Sequence, residues 1–241
     1  MVDILLPMFP AKYERYIEVF GGGGWLLFKK QPDPFEVYND FNGDMVNLFR
    51  VVRSNPDSLI AAFDYDIHSR ADFIDAKAKL KAGDYKDAVE RAYLFYKVNR
   101  SSFSQNMQSF FTKPRTMALD MFKAAADRLR SVVIENYDFQ KLIELYDRPE
   151  SFFYCDPPYY GTEDYYVSNF GRETHERLHE CLGKVKGKWL LSYNDCDAIR
   201  QLYAGYNIQT AERQNNMGSG QYAELIISNY DTTERQQQIT F

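Results

Sequence analysis

Short apolar runs alternate with helical patterns along the first part of the chain. The run at residues 16–20 (YIEVF) ends at four glycines, and an apolar pattern resumes at Trp25–Phe28, which is typical of a strand, a turn and a helix. A second apolar run, Phe35–Tyr38, is followed by apolar side chains at helical spacing between residues 45 and 52. This order of elements predicts a parallel sheet that is covered by helices.

The middle of the chain, from about residue 59 to residue 133, breaks this alternation. Charged helical stretches at 72–80 and 85–96 lead into a polar and aromatic run at 101–116. Strands and a helix are again predicted afterwards, at Val132–Ile134, Phe152–Cys155, Glu173–Leu182, Trp189–Ser192 and Glu224–Ser228. We therefore predict an α/β domain formed by residues 1–58 and 132–241, interrupted by a mainly helical insertion at 59–131.

The charge of the chain is unevenly distributed. Its 241 residues are 45% hydrophobic, enough for a buried core, and its formal net charge is -5. Residues 91–130 contain eight Lys or Arg and two Asp, a net charge of +6, so the remainder of the chain carries -11. Such an excess favours a surface that binds a polyanion over a helix face that merely faces solvent.

Cysteine usage and hydropathy indicate the cellular setting. The three cysteines, Cys155, Cys181 and Cys196, show no CxxC spacing, which favours reduced thiols. The N-terminus has no basic leader, and no apolar run approaches the ~20 residues of a membrane span. We expect a cytoplasmic protein without a membrane partner.

A glycine cluster is the first candidate for ligand binding. Gly21, Gly22, Gly23 and Gly24 lie between a predicted strand and a predicted helix, where a backbone can approach a ligand closely. Asp40 ends the next strand, 16 to 19 residues after the glycines, near the spacing at which an acid binds a ribose. Together they suggest a cofactor that contains adenosine.

The most specific motif is the sequence Asp156, Pro157, Pro158 and Tyr159, which follows an apolar strand directly. It therefore lies at the carboxyl end of a strand, where open α/β sheets bind ligands. A carboxylate and the carbonyls of a proline-stiffened backbone can accept hydrogen bonds from an aromatic amine, and Tyr159 offers a ring face to a base. The arrangement suits methylation of an exocyclic amino nitrogen.

Taken together, these motifs make the chain resemble the Dam-like DNA N6-adenine methyltransferases of the DPPY type, alpha group. The resemblance is carried by YIEVFGGGGW at 16–25, NDFN at 39–42, ENYDF at 135–139, FFYCDPPYYGTEDYY at 152–166 and SYND at 192–195. It implies a Rossmann-like, S-adenosylmethionine-dependent methyltransferase sheet with an inserted target-recognition domain. Such an enzyme methylates the N6 amino group of an adenine flipped out of double-stranded DNA.

The resemblance also implies roles for individual residues. The catalytic set is Asp156, Pro157, Pro158 and Tyr159, with no metal ion. The implied cofactor-binding set is Glu18, Phe20, Gly21, Gly22, Gly23, Gly24, Asp40, Asn42, Asp138, Phe139 and Asp156. In this set, Glu18, Phe20 and the glycines line the methionine part of the cofactor, Asp40 holds the ribose, and Asp138 with Phe139 holds the adenine ring. The implied DNA-binding residues are Arg100, Lys113 and Arg115.

Two segments depart from the family pattern. Family members usually open with a Trp-Gly-Lys-like segment that helps close the cofactor pocket, whereas this chain begins close to the glycine strand. We expect weaker cofactor binding unless another element takes that place. The run SSFSQNMQSFFTKPR lacks the glycine- and arginine-rich pattern of the GATC-specific members, so a different target sequence is expected.

Three alternatives to DNA methylation stay open at the sequence level. The stretch His175–His179 is a literal HExxH, as in zinc peptidases, with His68, Glu212 or Glu224 as the remaining candidate ligands. The second alternative is a related methyltransferase that acts on glutamine side chains or small amines. Those that modify glutamine tend to carry Asn in place of Asp156, and they lack a basic insertion. A protein that binds DNA or cofactor without turnover is the third. For the methyltransferase, a bacterial or phage origin and a companion restriction endonuclease are expected.

Overall fold

The computed structural model describes residues 1–113, 118–161, 170–214 and 221–233. The helices are α1 (Val2–Leu5), α2 (Trp25–Lys29), α3 (Gly43–Ser54), α4 (Pro56–Ala61), α5 (Arg70–Ala82), α6 (Ala88–Arg100), α7 (Asp120–Leu129), α8 (Phe139–Tyr146), α9 (Arg172–Leu182) and α10 (Asp197–Leu202). The strands are β1 (Arg15–Glu18), β2 (Phe35–Asn39), β3 (Val132–Glu135), β4 (Ser151–Cys155), β5 (Lys188–Asn194), β6 (Asn207–Gln214) and β7 (Gln221–Ser228).

These strands form one seven-stranded sheet in the order β3-β2-β1-β4-β5-β7-β6. Strand β1 runs parallel to β2 and β4, and β4 runs parallel to β5. Strand β7 is antiparallel to β5 and to β6. The predicted α/β class with a Rossmann-like sheet is confirmed, and every predicted strand is present.

Aromatic side chains fill much of the core beside the sheet. The rings of Phe9, Tyr16, Phe152 and Tyr230 form a chain of contacts with centroids 4.7 to 6.3 Å apart. Trp189 is fully buried as well. The high aromatic content of the sequence therefore serves largely to pack the core.

The chain divides into two compact units. The first comprises Met1–Phe41 and Glu135–Phe241, and the second comprises Asn42–Ile134. The second unit thus begins earlier than the predicted insertion at 59–131, because α3 and α4 belong to it. That this insertion recognises the DNA target stays a prediction.

The second unit is mainly helical, and side-chain caps set the start of several of its helices. Ser69 caps α5 by accepting a hydrogen bond from the Asp72 amide, and Asp87 caps α6 by accepting one from the Glu90 amide. The two helices pack through a small core of Phe73, Ala76, Leu94 and Val98. Charged surface positions flank this core, which explains why the sequence pattern of this segment is helical but weakly apolar.

Within the four described ranges, every helix falls short of the length and apolar character that a bilayer span requires.

Candidate active site

A cavity of about 290 Å³ lies at the carboxyl ends of β1 and β4. Its lining residues are Met1, Val2, Leu5, Glu18, Phe20, Gly21, Trp25, Leu26, Tyr154, Asp156, Tyr159 and Glu224. The glycine turn and the DPPY motif were predicted from separate patterns, and both contribute to this one cavity. Met1, Val2 and Leu5 of the N-terminal segment form one side of the cavity.

The glycine turn is held against the end of β2 by three hydrogen bonds. The Gly21 amide donates to the Asn39 carbonyl at 2.7 Å, and the Gly22 amide donates to Oδ2 of Asp40 at 2.8 Å. The Tyr38 hydroxyl donates to the Gly22 carbonyl at 2.7 Å. A Cβ at position 21 would lie 2.2 Å from the Tyr38 ring, so only glycine fits there. Asp40, predicted to hold a ribose, thus also stabilises the turn.

Glu18 ends β1 and is buried against the cavity. Its Oε2 accepts hydrogen bonds from the Tyr16 hydroxyl at 2.8 Å and from the Leu27 amide at 3.0 Å. Burial raises the pKa of Glu18 to about 8, although these two hydrogen bonds favour the ionised form, and the charge of Asp156 adds to the rise. A positively charged ligand in the cavity would favour the ionised carboxylate.

Asp156 directly follows β4 and projects from the sheet as an exposed carboxylate. Its Oδ1 accepts a hydrogen bond from Oγ of Ser192 on β5 at 2.8 Å. Pro157 and Pro158 are buried, and Tyr159 is partly buried beside the cavity. This places a carboxylate, a rigid backbone and an aromatic ring together, as the motif predicts. The end of that motif, residues 162–166, lies outside the described residues.

The predicted adenine-binding pair lies next to the cavity rather than in its lining. Asp138 caps α8 and accepts two hydrogen bonds from the Arg177 guanidinium, at 3.2 and 2.8 Å. Phe139 is buried, with its ring centroid 5.7 Å from that of Phe20, which does line the cavity. Asn42 is placed elsewhere, as the cap of α3, where it accepts hydrogen bonds from the amides of Asp44 and Met45.

The residues predicted to bind DNA have different environments. Arg100 ends α6 and is partly buried, Lys113 is exposed, and Arg115 lies outside the described residues. Among the other basic residues of this segment, Lys97 is buried in an ion pair with Asp66 at 2.5 Å. The basic surface is therefore smaller than the count of charges alone indicates.

The two histidines of the HExxH motif pack against aromatic rings. His175 is buried, and its Nδ1 lies 2.5 Å from the Tyr193 hydroxyl. The ring of His179 contacts the rings of Tyr203 and Tyr206. In the part of the chain that the structure describes, no group of three or more His, Cys, Asp or Glu side chains could hold a metal ion. The described residues therefore give no support to the zinc peptidase alternative.

Several residues of the site were not singled out from the sequence. Tyr154 and Trp25 line the cavity, and Ser192 contacts Asp156, although Ser192 entered the sequence analysis only within the SYND motif. Glu224 is buried on β7 and lines the cavity, whereas the sequence suggested it only as a zinc ligand. The signal available in the sequence was an acidic residue that begins the apolar run ELIIS, a segment expected to be buried.

Comparison with known proteins gives a consistent result across nearly the whole chain. A sequence model of the D12 class N6 adenine-specific DNA methyltransferases matches residues 1–217. The type II methyltransferase M1.LlaDCHI of Lactococcus lactis subsp. cremoris is 27% identical over 256 residues, covering 92% of this chain and 89% of the relative. M.CviBI, a type II methyltransferase of Paramecium bursaria Chlorella virus NC1A, is 26% identical over 242 residues, covering 92% of each chain. A DNA adenine methylase of Haemophilus influenzae is 25% identical over 241 residues, covering 90% of this chain and 83% of the relative.

Proposed function

Since the chain belongs to the D12 class of N6 adenine-specific DNA methyltransferases, we propose that the cavity at the ends of β1 and β4 receives both the methyl donor and the target adenine. Family membership confirms the predicted activity, which is transfer of a methyl group to the N6 amino group of an adenine in DNA. The observation that carries the proposed site is the shared lining: Gly21 and Glu18 face the same cavity as Asp156 and Tyr159.

The chemistry of the cavity fits S-adenosylmethionine as the donor. When bound, this cofactor supplies a methyl group on a positively charged sulfur. Three acidic side chains, Glu18, Asp156 and Glu224, line the cavity, and a cationic ligand bound there would favour the ionised form of Glu18. Gly21 lines the cavity with backbone atoms, while the Tyr38 ring fills the space that a Cβ would need. We propose that Glu18, Phe20 and the glycines hold the methionine part, Asp40 the ribose, and Phe139 with Asp138 the adenine ring.

Asp156 is the proposed catalytic residue for the target base. Its carboxylate accepts a hydrogen bond from the adenine amino group and stabilises the positive charge that develops on the nitrogen during methyl transfer. A backbone carbonyl that flanks Pro157 and Pro158 accepts a hydrogen bond from the second N–H of the adenine amino group. Tyr159 stacks on the base, which offsets part of the few kcal/mol needed to unstack it from the duplex. Holding the two reactants in line contributes much of the rate acceleration.

The DNA substrate is proposed to bind through the unit Asn42–Ile134. Arg100, Lys113 and Arg115 are the proposed phosphate contacts, since phosphate neutralisation supplies most sequence-independent affinity. These contacts place the duplex but do not read its sequence.

Methyl transfer to duplex DNA with a labelled donor tests this assignment. The wild-type protein should transfer label to adenine N6, whereas Asp156→Ala should abolish transfer and leave DNA binding largely intact. Asp231→Ala, which removes an exposed carboxylate far along the chain from the motif, is the matched control and should keep wild-type transfer. Substantial transfer by Asp156→Ala would remove Asp156 from the catalytic role.

A companion restriction endonuclease is part of the proposal, because two of the relatives are named type II methyltransferases. Plasmid DNA from cells that express the protein should then resist an endonuclease that cuts at the methylated sequence. Cleavage at fully methylated sites would contradict this part.

A further inference from the structure

The loop at residues 156–160 leaves β4 and is contacted at both ends by side chains of β5. Ser192 and Asn194 are two residues apart on β5, so their side chains project from the same face of the strand. Strands β4 and β5 are parallel, with Cys155 opposite Leu191. This register continues past the end of β4 and brings Ser192 beside Asp156.

Ser192 fixes the first residue of the loop. Its Oγ donates to Oδ1 of Asp156 at 2.8 Å and lies 3.0 Å from the Tyr154 hydroxyl. Because a carboxylate can only accept, the single Ser192 proton goes to Asp156 and the Tyr154 hydroxyl donates to Ser192. Burial raises the pKa of Tyr154 well above its usual range, which keeps that proton in place. The chain of hydroxyls therefore sets the rotation of the Asp156 carboxylate.

Asn194 fixes the last residue of the loop. Its Oδ1 accepts a hydrogen bond from the Tyr160 amide at 2.9 Å, and its Nδ2 donates to the Tyr160 carbonyl at 3.0 Å. The two prolines between Asp156 and Tyr159 have no backbone N–H and cannot donate a hydrogen bond to a neighbouring strand. The side chain of Asn194 supplies the paired bonds that a strand neighbour would otherwise make.

We propose that Ser192 and Asn194 are positioning residues for methyl transfer, which hold the two ends of the 156–160 loop so that Asp156 and Tyr159 meet the target adenine in one geometry. The inference rests on the proposed catalytic role of Asp156. Neither Ser192 nor Asn194 contacts a reactant in the proposed arrangement. Both act through the loop, and they should therefore affect the rate of methyl transfer more than the affinity for S-adenosylmethionine.

Near-isosteric variants test the two anchors separately. Ser192→Ala removes the donor to Asp156, and Ser192→Thr restores a hydroxyl. Asn194→Asp keeps an acceptor for the Tyr160 amide but loses the donor to the Tyr160 carbonyl. Ser151→Ala is the matched control, since Ser151 is buried on β4 and its hydroxyl donates to the Tyr146 carbonyl at 2.7 Å, at the opposite end of the strand from Asp156.

The measurements are single-turnover methyl transfer at saturating DNA and S-adenosylmethionine, the dissociation constant of S-adenosylmethionine, and thermal unfolding. Ser192→Ala and Asn194→Asp should slow transfer about 10- to 100-fold, because misplacement by ~1 Å carries a cost of that size. The dissociation constant should change by less than about threefold, as expected when only transition-state contacts are lost. Ser192→Thr should transfer faster than Ser192→Ala, and Ser151→Ala should lose comparable stability but keep the wild-type rate.

Wild-type rates in both Ser192→Ala and Asn194→Asp, or an equal loss of rate in Ser151→Ala, would overturn the inference. A Ser192→Thr rate no higher than that of Ser192→Ala would also count against it. Asp156→Ala, assayed in parallel, separates the two claims. Activity in Asp156→Ala defeats the proposed catalytic role itself, whereas an inactive Asp156→Ala beside fully active Ser192 and Asn194 variants defeats only the positioning role.

Discussion

Glu18 is an ionisable residue that is buried at the wall of the cavity. The hydrogen bonds from Tyr16 and Leu27 orient its carboxylate, while burial raises its pKa from 4.5 to about 8. The folded protein therefore holds the Glu18 proton more tightly than the unfolded chain does. The stability that comes from the neutral carboxyl is present below the unfolded pKa of 4.5 and is lost as the pH rises through about 8.

Glu18→Gln should remove this pH dependence. Glutamine has nearly the same shape and keeps an acceptor oxygen for the Leu27 amide, but it cannot ionise. Between about pH 5 and about pH 9 the Tm of the wild-type protein should fall relative to that of Glu18→Gln. Thermal unfolding of the two proteins across this range checks the prediction, and parallel Tm curves would show that Glu18 titrates normally.

The residues found from sequence differ in kind from those that were missed. Gly21 and Asp156 lie in short contiguous motifs whose chemistry follows from residue type and from the neighbouring strand. Ser192 and Glu224 join the site only through the register of β5 and β7 against strands distant in sequence. Such lateral contacts leave no periodic signal in the chain, because they depend on which strands become neighbours.

At the level of elements, the strands with apolar sequences were the ones that the sequence predicted well, including the edge strand β3 with its sequence VVIE. All five residues of β4 are buried, and four of them form the apolar run FFYC. Strand β6 was missed because it lies at the edge of the sheet and has the polar sequence NIQTAERQ. An edge strand with a polar sequence has no hydrophobic periodicity that would reveal it.

Helix α3 provides a test at this scale, because the resemblance places Asn42 in the cofactor site whereas the structure places it as a helix cap. Asn42→Ala should lower the free energy of unfolding by about 1 kcal/mol through loss of the cap. Asn42→Ser keeps a capping oxygen and should stay close to the wild-type stability. Urea unfolding of the three proteins checks this, and an Asn42→Ala protein as stable as the wild type would show that the cap contributes nothing.

At the scale of the whole molecule, the basic segment is partly neutralised by acids elsewhere in its own unit. Buried Lys97 pairs with partly buried Asp66, and Arg91 pairs with Asp44 at 2.7 Å. Taking these two pairs from the net +6 of residues 91–130 leaves an excess of four charges. Lys123 and Arg130 of this segment also form ion pairs, but these pairs are exposed to solvent. Each basic group can therefore release its Asp partner and bind a DNA phosphate instead.

The affinity for duplex DNA should therefore depend on salt, with a slope of roughly -4 in log affinity against log salt, rather than the -5 that six phosphate contacts would give. Fluorescence anisotropy with a labelled duplex over a salt series measures this slope. Lys113→Ala should reduce its magnitude by about one. A flat salt response would remove the unit Asn42–Ile134 from the DNA interface.

Single-molecule sequencing of a plasmid propagated with this protein measures its methylation of DNA most directly. DNA from cells with the wild-type chain should carry N6-methyladenine at one recurring sequence, and DNA from cells with Asp156→Ala should carry none above background. Unmethylated DNA in the presence of folded wild-type protein, or an equal level of N6-methyladenine with Asp156→Ala, would contradict this prediction.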